Sequence, residues 1–283
     1  MIADWPSFGF QSDAISIADD KSNFVNGRRG VIVTPTNKSV TELKGLHLYH
    51  ADMSNCSMRV RMVLEEKNLP WTSHHLDLRK KEAVTPEYFG IHPKGLVPTL
   101  VHDGVVHIES NDIIEYLDET FPDPPLQPEI PDEREKMRDW LHTATEIHLP
   151  AVKTVIYTRK IGKVLRKNPE EDAKYRALQR DPELLAFHAA ATSGNGLPQE
   201  NIDKAEATLF RLFDKVEAEL SAHEWLVGEK FSLADISWVP LHFTLIGVAF
   251  PFEERYPRVT AWADKIRERP SFQEGILRWC AKF

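Results

Sequence analysis

From Leu43 onward the chain carries two alternating kinds of apolar pattern. Leu46–His50 places an apolar side chain at every second position and predicts a strand. Cys56–Lys67 places Val60, Val63 and Leu64 at helical spacing and predicts a helix with one face on a core. Trp71–Leu78 predicts a second strand, and Thr85–Gly90 a short helix capped by Thr85 with Pro86 in its first position. The run "GLVPTLVHDGVVHIES" then supplies strands Thr99–Val101 and Val105–Ile108. Asp103-Gly104, a strong hairpin signal, lies between them. Asn111–Glu119 follows as a helix with Ile113, Ile114 and Leu117 on one side. The order β-α-β-α-β-β-α in about 80 residues predicts a compact α/β unit.

The pattern changes at "FPDPPLQPEIPDE", where five prolines in thirteen residues exclude a continuing helix or an inner strand. Beyond it, Met137, Trp140, Leu141, Ala144 and Ile147 recur at helical spacing, as do Ile202, Leu209, Leu212, Phe213, Val216 and Leu220. The stretch 166–198 between these sets is long and charged, with loop-like ends. Residues 1–42 show no sustained period, but Trp5, Phe8 and Phe10 suit an arm that docks on the body or on a partner. The expected organisation is therefore an extension (1–42), an α/β domain (43–121), a proline-rich linker (122–130) and an all-α helical bundle (131–283).

Composition narrows the class. With 42% hydrophobic and 28% charged residues, neither disorder nor a membrane protein is indicated. A formal charge of −8 argues against a nucleic-acid binder, while leaving room for a local basic site. Two distant cysteines, Cys56 and Cys280, make no disulfide framework and suit a reducing compartment. The best apolar run, Val239 to Phe252, is too short to span a bilayer and contains His242. The aspartate-rich start lacks the form of a secretory signal, so a cytoplasmic location is expected. No histidine or cysteine spacing suggests a metal site. His74 and His75 are adjacent in a strand and point to opposite faces.

Three places carry candidate chemistry. Val97-Pro98 opens a strand. A trans bond there would be ordinary, whereas a cis bond would turn the Val97 backbone outward to pair with an extended peptide ligand. Glu109-Ser110 lies where the last strand meets the next helix. Ser110 or Asn111 is the expected N-cap, and the helix start would attract a carboxylate while Glu109 accepts from an ammonium group. An α-amino acid carries both. The third place is "SNCS" at the start of the Cys56–Lys67 helix. Ser54 and Ser57 have the separation of the two thiols in a C-x-x-C motif, and hydroxyl donors there could hold a thiolate supplied by a ligand.

"SNCSMRVRMVLEEKNL", "HPKGLVPTL", "ESNDIIEYLDETFP" and "FSLADISW", in this order, resemble the glutathione transferases over residues 44–280. The resemblance implies a thioredoxin-like N-terminal domain that binds glutathione as co-substrate, and a helical domain that lines the site of a hydrophobic aromatic second substrate. It implies that Asn55, Val97, Pro98, Glu109 and Ser110 hold glutathione. It also implies a serine that donates to the thiolate: Ser54 first, Ser57 as rival, and Cys56 third, as in a thiol–disulfide type. Members usually form dimers, so a homodimer or a heterodimer with a related subunit is expected. "SNCSMRVR" is similar to the maleylacetoacetate isomerase class. "GNGLPQENID" and the long insertion before it are similar to bacterial β-aryl etherases of lignin breakdown, from which the 42-residue arm and the "SNCS" loop depart. Glutathione-dependent ether cleavage is thus the leading expectation, with general conjugation or isomerisation behind it. A non-catalytic interaction module would show a degraded glutathione site, and here Ser54, Val97-Pro98 and Glu109-Ser110 are all present.

Two further readings are structural. Ser232 and Asp235 form a capping box. His142 and His148 lie on the first long helix, which in the family borders the second-substrate pocket, and read as solvated or core-edge side chains.

Overall fold

A computed structural model describes residues 24–25, 28–29, 31–162 and 169–280. Trp5, Phe8 and Phe10 lie outside the described residues. Phe24–Val25 (β1) and Arg28–Arg29 (β2) form a two-stranded antiparallel ribbon. The main sheet has five strands: Val31–Val33 (β3), Leu46–His50 (β4), Trp71–His75 (β5), Thr99–His102 (β6) and Val105–Ile108 (β7). Their spatial order is β3-β7-β6-β4-β5. β4 and β5 are parallel, and the other neighbours are antiparallel. The β6–β7 hairpin turns through Asp103 at φ 48° and Gly104 at φ 83°, the doubly left-handed turn that matches strand twist. Only glycine fits the second position, because a Cβ there would sit 2.2 Å from the Thr41 carbonyl.

β3 falls inside the segment that the pattern assigns to the extension. Three residues are too few to show a period, and their strand character comes from pairing with β7, Val31 opposite Ile108 and Val33 opposite Val106. Val40, just after β3, is buried with Val101, Val106, Ile108 and Tyr88.

Asn55–Glu66 (α1) makes the parallel crossover, Pro86–Phe89 (α2) begins at the Thr85 cap, and Ser110–Thr120 (α3) follows β7. The helical domain opens with Pro131–Glu146 (α4). Two helices, Pro169–Leu178 (α5) and Pro182–Ala191 (α6), occupy the interior of the long charged stretch, between its loop-like ends. α5 is dense in charge and α6 is apolar and alanine-rich on every side, so neither shows a one-sided period, and Asp181 caps α6 by accepting from the Glu183 and Leu184 N–H groups. Gln199–Ala222 (α7) and Leu233–Ile246 (α8) complete the scaffold near the site.

α8 is apolar on all sides and buried from Leu233 through His242, as the sequence of a central helix must be. Its capping box is formed: the Ser232 N–H donates to Asp235 Oδ2 at 2.9 Å. The other oxygen accepts from the Leu226 N–H and the Trp262 indole. α4 does not end cleanly. Pro150 has no N–H to give, and the Ile147 carbonyl accepts from both Ala151 and Val152 at 3.0 Å. The chain consequently runs on as a π-helical turn over His148–Lys153. No described helix is long and apolar enough to cross a membrane.

A polar seam joins the two domains. Asn55 Nδ2 donates to Thr244 Oγ1, Arg59 Nε to the Ser237 carbonyl, and Ser237 Oγ to Asn111 Oδ1. The starts of α1 and α3 are thereby fixed against α8, at the place where the candidate residues lie.

Candidate functional site

The sheet and α1 bring Ser54 to the C-terminal end of β4, as the N-cap of α1. Its Oγ accepts from the Ser57 N–H at 3.2 Å, which leaves the hydroxyl proton available to an acceptor outside the helix. Ser54 is half-buried, whereas Ser57 is fully buried and its Oγ accepts from the Ala51 N–H at 3.3 Å. Ser57 therefore closes the β4–α1 loop from inside. Asn55 is buried with its amide committed to Thr244.

Val97-Pro98 is a cis peptide, with Pro98 buried and Val97 half-buried. Among the described residues, the Val97 N–H and C=O have no backbone hydrogen bond. The loop is held on either side by the Tyr88 hydroxyl, which donates to the Leu96 carbonyl at 2.6 Å and lies 3.0 Å from Thr99 Oγ1. From the helical domain, Asp181 pairs with Lys94 at 2.9 Å, and Gln179 Nε2 donates to the Lys94 carbonyl at 3.0 Å. The α5–α6 insertion thus braces the loop that presents Val97.

The start of α3 differs from expectation. Neither Ser110 nor Asn111 is its N-cap. Ser110 is the first helical residue, and Asn111 turns into the seam, donating to the Leu141 carbonyl and Thr145 Oγ1. The cap position belongs to Glu109, at φ 65° and ψ 110°, with no side-chain cap bond. A glutamate in this sparsely populated region stores roughly 1–3 kcal/mol of backbone strain, which the packed surroundings hold in place. The Glu109 side chain thus leaves the start of α3 uncapped, where an anion is favoured.

Between these elements sits Cys56. Its half-buried sulfur is 3.6 Å from His148 Nε2 and 3.8 Å from Arg59 Nη1. Arg59 is buried. Its Nη1 also donates to Ser110 Oγ at 3.1 Å, and its Nη2 has no partner among the described residues. Burial raises the Glu109 pKa, a Cys56 anion would raise it further, and Lys94 and His148 oppose the shift. Burial likewise holds the His148 imidazole far below its ordinary range, with Lys153 and Arg59 adding to the effect. Burial also lowers the Lys153 ammonium, against the field of a Cys56 anion.

The fold thus gathers Ser54, Val97, Glu109 and Ser110, the residues anticipated from sequence, around one end of the sheet, with Ser57 beneath them. Arg59, His148 and Lys153 join only through tertiary structure. Pro150, inside a helical pattern, was the sole local sign that the chain bends there. His142 lies exposed beside Glu146, in keeping with a solvated residue.

Residues 48–125 match the profile described as "Glutathione S-transferase, N-terminal domain", and residues 164–270 match "Glutathione S-transferase, C-terminal domain". Protein LigF from Sphingobium sp. strain SYK-6 is 30% identical over 239 residues, covering 81% of this chain and 92% of that protein. Tetrachloro-p-hydroquinone reductive dehalogenase from Sphingobium chlorophenolicum is 27% identical over 238 residues, or 80% of this chain and 93% of its own. The crystal structure of the β-etherase LigF from the same Sphingobium strain aligns with a TM-score of 0.75 and 30% identity. That alignment covers 84% of this chain and 99% of the etherase.

Proposed function

Because the chain belongs to the glutathione S-transferase family, we propose that its site holds glutathione as co-substrate and that Ser54 donates to the thiolate. The observation that carries this reading is the direction of the Ser54 hydroxyl bonds. Oγ is already an acceptor for the helix, so its proton is left for an external anion at the positive end of α1. Ser57, buried under Ala51, supports the loop. Val97 pairs with the cysteinyl backbone of the tripeptide. Glu109 accepts from the γ-glutamyl ammonium, and Ser110 with the α3 N-terminus receives its carboxylate. Asn55 and Pro98 fix the two loops that frame the ligand.

A free thiol titrates near pH 8.5, so little of it is anionic at neutrality. Lowering that value by about one to two units at a helix start makes the thiolate a substantial or major species. The second substrate is best read as a lignin-derived aromatic ketone bearing a β-aryl ether. Support comes from the identity with LigF over nearly all of that protein's length and from the insertion formed by α5 and α6. The sulfur forms a bond to the β-carbon, the carbon–oxygen bond breaks, and a phenolate leaves with the electron pair.

The test is phenol release and glutathione consumption from a β-aryl ether ketone, with wild type beside Ser54→Ala and Ser57→Ala. Ser54→Ala is expected to lower kcat/KM by about 10- to 100-fold, while Ser57→Ala retains most of it, the reverse order counting against the assignment. Conjugation of a generic electrophile without phenol release would leave a transferase with another substrate. Failure of both reactions, with no glutathione binding, would point to the interaction module.

A further inference from the structure

Lys153 is half-buried on the π-helical turn His148–Lys153, and among the described residues its ammonium makes no ion pair or hydrogen bond. The contrast within the same molecule is Lys67, also buried, which is matched by Asp118 at 2.6 Å and by the Phe121 and Pro124 carbonyls. Removing an ammonium from water without an anionic partner is unfavourable, and no described residue supplies such a partner to Lys153. The i→i+5 bonding of the turn brings its first and last residues, His148 and Lys153, toward the same side. His148 Nε2 faces the Cys56 sulfur at 3.6 Å, so this side of the turn borders the thiol-holding end of α1. His148 Nδ1 is buried without a partner, as is Arg59 Nη2. Cys56 from α1 acts electrostatically on Lys153, while His148 of the same turn feels Lys153, Arg59 and Glu109, the last of which also faces Lys94. Arg59 is tied to Ser237 and Ser110 through Nε and Nη1, with only Nη2 unpartnered among the described residues, Lys94 is paired with Asp181, and Glu109 in the proposed function accepts from an ammonium. Of these cations, Lys153 is the one with no hydrogen-bond or ion-pair partner at all among the described residues.

We propose that Lys153 receives an aryl oxide on the electrophile side of the glutathione sulfur, with His148 as the neighbouring wall of that subsite. This rests on the proposed thiolate chemistry and extends it to the departing group. As sulfur bonds to carbon, the carbon–oxygen electron pair passes to the aryl oxygen. The Lys153 ammonium gives that oxygen a proton and recovers one from water. An ammonium made more acidic by burial is suited to this transfer, since its acidity moves toward that of a phenol.

The test uses 4-nitrophenol as the probe, titrated by its phenolate absorption in the presence of saturating glutathione. Bound to wild type or to Lys153→Arg, it is expected to ionise about tenfold more readily than when free, equivalent to one pKa unit. Lys153→Met is expected to abolish that shift, with glutathione affinity and far-ultraviolet circular dichroism unchanged. No binding, an unshifted titration in wild type, or the same shift in Lys153→Met would overturn the subsite. A Lys153-dependent shift with no phenol release from aryl ether ketones would leave the subsite standing and overturn only the etherase reading.

Discussion

Glu109 combines two costs that the fold bears: a left-handed backbone and a carboxylate whose pKa is raised above the ordinary 4.5 by burial. Where a folded-state carboxyl pKa exceeds the unfolded one, the folded chain binds more protons between the two values. Stability therefore falls as pH rises through that window, and the loss persists at neutrality. Glu109→Gln is expected to raise the urea midpoint of the ligand-free protein at pH 7 relative to pH 4, while weakening glutathione binding by at least about tenfold. Binding and unfolding titrations of the same variant check both halves, and a stability loss at pH 7 would refute the argument. The places of these residues in the fold were legible in the sequence. Ser54, Val97 and Glu109 stand at junctions that strand and helix patterns locate within a residue or two. Their rank was less legible, because whether Ser54 or Ser57 faces outward depends on the Ala51 N–H. Cys56 and His148 are 92 positions apart and meet only through the packing of the π-helical turn after α4 against the α/β domain.

At the scale of elements, periodicity served where elements are long and one-sided. The observed α1, Asn55–Glu66, lies one residue from its expected bounds. It failed at β3, whose identity is conferred by β7, and it left α5 and α6 without bounds inside a stretch read as long and charged. Those two helices have a mechanical part to play. Asp181 caps α6 with Oδ1 and holds Lys94 with Oδ2, so one carboxylate fastens the insertion to the loop that precedes Val97. Asp181→Asn keeps the cap and removes the ion pair. The partly exposed pair is worth at most about 1 kcal/mol, so KM for glutathione is expected to rise about two- to fivefold with kcat little changed. Steady-state kinetics in low and high salt test this, since the wild-type advantage should shrink as screening increases. A fall in kcat at constant KM would assign Asp181 a different role.

For the whole molecule, the most consequential electrostatic feature is a set of buried, uncharged histidines. Burial holds His50 at about 2, His242 at about 3, and His92 and His107 at about 4. These pKa values are depressed below the ordinary 6.5. An unfolded chain therefore takes up protons below that pH which the folded chain refuses, and stability falls as pH drops from 6.5 toward 4. Each histidine contributes a slope of up to about 1.4 kcal/mol per pH unit. Urea midpoints measured from pH 7.5 to 5 are expected to drop steeply with proton uptake on unfolding. A flat profile across that range would contradict the burial of these rings.

The β3–β7 pairing also gives the chain an order of assembly. Synthesis delivers Val31–Val33 first, yet the partner strand is more than seventy residues downstream. β4 and β5 can pair around α1 while β3 is still waiting, so the edge is sealed by the contact of greatest sequence separation in the sheet. Until it is sealed, β7 presents an open row of backbone donors and acceptors, the surface on which nascent chains recruit one another. β3 thus acts as a guard against intermolecular strand addition, and a chain shortened past Val33 would be expected to accumulate in inclusion bodies even with every site residue intact.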